Sequence, residues 1–255
     1  MLKGRYGPKL NYEDKVVQSC IHCHQVGEAL RQVYLDGKEP LPDELLFPYP
    51  HPKSIGLILD PKEKATVLRV DKDSPAEQAG FQKGDVILRL NGQPLLSIAD
   101  VQWVLHRTPM QGGSLKAEVQ RSSGKTEVTL KLPQGWRQHD DISWRASTWM
   151  LRRIGAGGML VEAVPAEDRK AAGLPETGMA LRVKYAGGQS GPHGAARKAG
   201  FREGDILVSF DDKTDLRRET DLLAHAVAHH KPGDRVRVTV LREGKKIELM
   251  LPMQD

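Results

Sequence analysis

The sequence is poor in cysteine, aromatic residues and long apolar runs. Its two cysteines rule out a disulfide-stapled scaffold. With 5% aromatic residues and no stretch near the roughly 18 apolar residues of a membrane helix, nothing predicts a bilayer span. Met1 to Leu10 is basic, contains Gly and Pro, and lacks the apolar centre of a secretory signal; if the protein is exported, that signal is expected outside these residues. There is no G-x-S-x-G elbow, and Ser190 is followed directly by Gly191 in loop-like sequence. The formal charge of +5 comes from basic residues scattered along alternating segments such as Arg235-Val236-Arg237-Val238, where charge falls on a solvent face. No nucleic-acid module accompanies that charge, so no nucleic-acid partner is expected.

What is present is a repeat. Ala79-Gly80-Phe81-Gln82-Lys83-Gly84-Asp85-Val86-Ile87-Leu88 recurs as Ala199-Gly200-Phe201-Arg202-Glu203-Gly204-Asp205-Ile206-Leu207-Val208. Each copy continues into a helical stretch, Ser97 to Arg107 or Glu219 to His229, and then an alternating hairpin, Leu115 to Leu132 or Arg235 to Leu251. In the first copy Ala65 to Val70 reads as a strand, and Ser74-Pro75 caps a short helix that ends at Gly80. Asn91-Gly92 makes a tight turn. Ser97 with Asp100 has the spacing of a capping box.

Asp73-Ser74-Pro75-Ala76-Glu77-Gln78-Ala79-Gly80-Phe81-Gln82-Lys83-Gly84-Asp85-Val86-Ile87 resembles the signature of bacterial PDZ domains, as found in the high-temperature-requirement proteases. The resemblance implies an α+β fold: two PDZ-like domains with small, mostly antiparallel sheets closed by two helices. The expected organisation is an N-terminal segment 1–52, a first domain 53–133, a connector 134–156 holding Trp136, Trp144 and Trp149, and a larger second domain 157–255. The second copy departs from the pattern in a longer loop, Gly187 to Gly194, and an extra helical stretch, Ala166 to Ala172.

A PDZ domain takes an extended peptide as an added strand beside its second helix, with a backbone nest for the terminal carboxylate. By resemblance, the first groove comprises Ile55, Gly56, Leu57 and Ile58 facing Ile98, Val101, Gln102 and Leu105. The second comprises Gly158, Met159, Leu160 and Val161 facing Leu222, His225 and Ala226. Each apolar position is equally readable as core, and His225 as a packing histidine. The proline-rich Leu41 to Pro52 is a poor added strand but an adequate lid, so the first groove is expected to be the more restricted and the second the more open. With only residues 1–52 before the first copy, a non-enzymatic protein is expected.

Cys20-Ile21-His22-Cys23-His24 has the C-x-x-C-H spacing of c-type haem attachment, in which Cys20 and Cys23 bond the porphyrin and His24 ligates iron. His51 is the natural sixth ligand, since no methionine lies between Met1 and Met110. A thiol and disulfide pair, a zinc site of Cys20 and Cys23 with His22 or His24 and His51 as the nearest addition, and an unmodified motif stay open. The arrangement loosely resembles the C-terminal part of thioredoxin-like/PDZ fusion proteins, which implies a missing upstream domain and a bacterial periplasm or cell-envelope location. The leading expectation is a scaffold whose tandem domains bring a peptide or protein partner to a haem c or thiol redox site. The alternatives are an electron-transfer cytochrome docked through its PDZ domains, or the recognition subunit of a protease system.

Overall fold

The computed structural model describes residues 22–145 and 147–254, the side chains of 22–26 and 28 excepted. The chain divides into two compact units, one of Leu46–Asp141 and one that joins Met1–Leu45 to Ile142–Asp255. The N-terminal segment and the connector are therefore each shared out. Residues 46–52 and 134–141 fold with the first repeat, and the described part of 22–45 folds with the second, together with 142–156.

Helix α1, His22–Gly37, belongs to the second unit. Arg31 donates from Nε and Nη2 to the Leu45 carbonyl, and the Leu41 amide donates to the Val227 carbonyl at 3.3 Å.

The first unit holds β1 (Leu57–Leu59), β2 (Val67–Val70), helix α2 (Pro75–Ala79), β3 (Val86–Leu90), β4 (Gln93–Pro94), helix α3 (Ile98–Arg107), β5 (Gly113–Arg121) and β6 (Gly124–Leu132). β1 and β2 form an antiparallel pair, and the other strands form an antiparallel sheet in the order β4-β3-β5-β6. The local signals work as the sequence predicts. Ser74 accepts the Glu77 amide at the start of α2, Gly80 ends that helix at φ +85, and Asp100 accepts the Ser97 amide at the start of α3. One core of Leu57, Val67, Ile87, Leu90, Val101, Leu105, Leu130 and neighbours fills the space between sheet and helices. Trp136, first of the connector tryptophans, is sealed into it.

The second unit continues with α4 (Thr148–Ala156), β7 (Leu160–Ala163), α5 (Ala166–Ala171), β8 (Leu181–Tyr185), α6 (Ala195–Lys198), β9 (Ile206–Phe210), α7 (Glu219–His229), β10 (Arg235–Arg242) and β11 (Lys245–Pro252). Its five strands form one antiparallel sheet, β11-β10-β9-β8-β7. The α+β class and the two-domain repeat stand as expected, and the additional helix is α5.

The repeated Gly-Asp pair has a structural reason. Asp85 is buried, accepts the Gln82 amide, and receives Arg121 through two nitrogens at 2.8 and 3.0 Å. Asp205 repeats this with the Arg202 amide and Arg242 at 2.7 and 2.8 Å. Each arginine also donates to the carbonyl of the glycine that ends the short helix, Gly80 or Gly200. The brace locks the turn before one strand to the end of the paired hairpin. Hydrogen bonding to the carboxylate raises the pKa of both guanidiniums. Removing one carboxylate leaves a half-buried arginine unmatched. Asp85→Ala and Asp205→Ala are each expected to destabilise their own unit by roughly 3 kcal/mol, read from urea denaturation followed by unit-specific probes.

Candidate functional site

In the first unit a 3₁₀ turn, Pro52–Ile55, delivers the chain to β1. His51 caps it by accepting the Lys53 amide on Nδ1 at 3.2 Å, and Gly56 leaves it at φ +81. A β-carbon at Gly56 would fall 2.2 Å from Ser74 Cβ, so only glycine fits between the turn and the cap of α2. Leu57, Val101 and Leu105 share the core, which sets β1 beside α3, while Ile58 and Ile98 stay half-buried. β1 pairs with β2 on one side, and among the described residues its other edge has no backbone partner.

A short strap bears on this helix. Tyr49, held at φ +50, accepts the Gln102 side-chain amide on its carbonyl at 3.1 Å and places its ring 4.2 Å from that of His106. Arg137, 1% exposed, donates to the carbonyls of Leu105 and Thr108 at the end of α3 and to that of Phe47 in the strap. A cation at a helix C-terminus is favourable, and here it also fixes the strap. The lid expected of Leu41 to Pro52 thus narrows to the residues around Tyr49.

In the second unit a full helix stands where the first has its strap. α4 lies against α7 from start to end: Arg152 forms a buried two-nitrogen ion pair with Glu219 at 2.9 and 2.6 Å, and Gly155 meets Ala226 and Val227. A β-carbon at Gly155 would sit 3.2 Å from both residues, so the glycine permits the close approach. Glu219 Oε1 also accepts the Val161 amide at 3.2 Å. That bond joins β7 to the first turn of α7 across the gap where a ligand strand would enter.

Met159, Val161, Leu222 and Ala226 are accordingly core residues, with exposures from 0% to 4%, while Leu160 is half-buried. Gly158, at φ +88, is needed because a β-carbon would collide with the His193 carbonyl. The expectation that the second groove is the more open is reversed. The physical reason is α4, which the sequence reading treated as connector. The His225 ring bonds Asp211 through Nε2 at 2.8 Å. Burial holds its pKa below the usual histidine value, and the Asp211 hydrogen bond offsets only part of that.

Of the remaining predicted residues, Cys20 lies outside the described residues, as do the side chains of Cys23 and His24, which sit on α1. The haem c, zinc and thiol readings of that motif rest on the sequence alone. Among the described residues no helix is long and apolar enough to cross a membrane.

Comparison with known proteins agrees with this geometry. Models described as PDZ domain match residues 66–110 and 190–253. A protein of Pseudomonas savastanoi pv. phaseolicola named "Probable periplasmic serine endoprotease DegP-like" is 29% identical over 73% of this chain and 37% of its own length. One with the same name from Pseudomonas fluorescens is 30% identical over 71% of this chain and 36% of its own. The chain thus spans little more than a third of these relatives. A solved HtrA3 PDZ domain bound to a phage-derived ligand is 27% identical, covers 30% of this chain and 81% of its own, and has a TM-score of 0.26.

These names overturn the expectation of a non-enzymatic protein. That expectation searched only this chain for a nucleophile, whereas its relatives are named endoproteases and extend well beyond the matched part. The sheets, the helix beside each strand edge and the matched residues lead to one identification: this chain carries two PDZ domains.

Proposed function

We propose that this chain is the peptide-recognition part of a DegP-like protease system of the bacterial periplasm, and that its first PDZ domain does the binding. The observation that carries the reading is the contrast between two strand edges. Among the described residues β1 keeps a free edge beside Gly56 and α3, whereas the Val161 amide of β7 is already bonded to Glu219. Strand addition draws its affinity from exactly such backbone groups. The ligand class is an extended peptide or protein C-terminus, which adds a strand to β1 with its carboxylate at the Ser54 to Gly56 turn.

The relatives' names support the protease context, and their printed location supports the periplasm. Tyr49 regulates access: its carbonyl holds Gln102 and its ring covers His106 on α3. A peptide entering fully along α3 displaces it, so the measured affinity carries the cost of that displacement.

Fluorescence anisotropy of a labelled peptide with a free, apolar C-terminus, titrated with the full chain, tests the reading. Saturable binding is expected. Ile98→Glu, at a half-buried position on α3, should weaken it by about tenfold or more. Tyr49→Ala should strengthen it several-fold. Binding that ignores Ile98→Glu would place the ligand elsewhere and defeat the assignment to the first domain.

A further inference from the structure

At the end of α7 three side chains from separate parts of the second unit converge. Asp211 Oδ2 lies 2.8 Å from His225 Nε2 and 2.9 Å from His230 Nε2, and the three atoms all lie within 4.8 Å of one another. We propose that Asp211, His225 and His230 form a binding site for a divalent transition-metal ion of the zinc class. Two imidazole nitrogens and one carboxylate oxygen are a usual zinc donor set. With metal–ligand distances of about 2.0–2.2 Å, tetrahedral zinc separates its ligand atoms by roughly 3.3 Å, so each histidine nitrogen needs to move only about 0.5 Å from the Asp211 oxygen to admit the ion.

The side chains are held in place before any ion arrives. His225 is on α7 and His230 follows the helix end in extended backbone at φ −126, which turns its ring back toward His225. The two rings stand at 75° with centroids 6.1 Å apart, edges converging rather than faces stacking. Phe210 meets His225 edge-on at 6.2 Å and His229 stacks on its other side at 4.3 Å. Asp234 Oδ2 lies 3.9 Å from His230 Nδ1, beyond hydrogen-bond reach but near enough to favour a positive charge on that ring. The histidine side chains are 10% and 16% exposed and that of Asp211 35%, so the trio is walled by protein and reached by solvent past the aspartate. That side supplies a fourth, non-protein ligand.

The first repeat is the internal control. Its β3 also ends in a tight turn, at Asn91 and Gly92 with φ +49 and +81, the residues that such a conformation favours. The second repeat holds Asp211 and Asp212 there at φ +52 and +59, a left-handed pair without a glycine. Position for position along the two helices, His225 replaces Val104 and His230 replaces Pro109. In the first repeat this place is an open cleft lined by Asn91, Val104 and Pro109 among others. The second repeat has thus placed a carboxylate and two imidazoles at three positions where its sister shows that the fold does without them.

The test uses the full, untagged chain carrying Cys20→Ser and Cys23→Ser, so that the cysteine motif supplies no thiolate. After chelator treatment, cobalt(II) titration should give one saturable equivalent with visible d–d absorption and no thiolate charge-transfer band, reversed by zinc. Asp211→Asn and His225→Val borrow the residues of the first repeat, so folding is expected to survive, as checked by metal-free thermal melts. Each should lower cobalt and zinc affinity by at least about tenfold. Absence of saturable binding, or binding that both variants keep at full strength, overturns the proposal.

Discussion

One carboxylate organises the second unit. Glu219, 4% exposed at the start of α7, receives Arg152 from α4 and the Val161 amide from β7. Three elements meet at its two oxygens. A buried ion pair contributes little net stability, because desolvation offsets its attraction, but breaking one costs about 3–5 kcal/mol. The pair therefore acts as a register device. It holds α4 along α7, and the same carboxylate takes the Val161 amide of β7.

In each domain the segment that runs into the glycine turn before the first strand also bears on the helix beside that strand. In the first it is a strap held by Tyr49 and Arg137, and in the second a full helix held by Arg152 and Gly155. Among the described residues the edge of β1 has no backbone partner, whereas in the second domain Glu219 already holds the Val161 amide of β7. Two copies of one unit have thus diverged, and the second packs its helix face against α4. The turn at Asp211 and the end of α7 carry the polar chemistry that the second copy gained.

Much of this was legible in the residues. The repeat, the caps at Ser74 and Ser97, the tight turn at Asn91-Gly92 and the Gly-Asp pairs all act through contacts within a few residues, so their spacing reports them. The brace of Asp85 by Arg121 joins positions far apart in sequence, yet its recurrence as Asp205 with Arg242 marks it once the hairpins are aligned. What was not legible is long-range. Arg152 and Glu219 look like surface charges on two helices, and only packing makes them partners. The apolar stripe of Leu151 and Ile154 beside the small Gly155 was the available sign that residues 148–156 are a packed helix rather than a connector. His225 read as a packing histidine because Asp211 and His230 reach it only after β9 and α7 have been placed.

In the second domain the chain's own Glu219, held by Arg152 of α4, takes the strand amide that an added peptide would need. Amide hydrogen exchange at Val161 in the full chain tests it most directly. This amide is expected to exchange as slowly as those paired between β7 and β8, and Glu219→Ala to accelerate it selectively while β10 and β11 stay protected. A Val161 amide that exchanges in the unaltered chain as fast as an unpaired strand edge would contradict that bond.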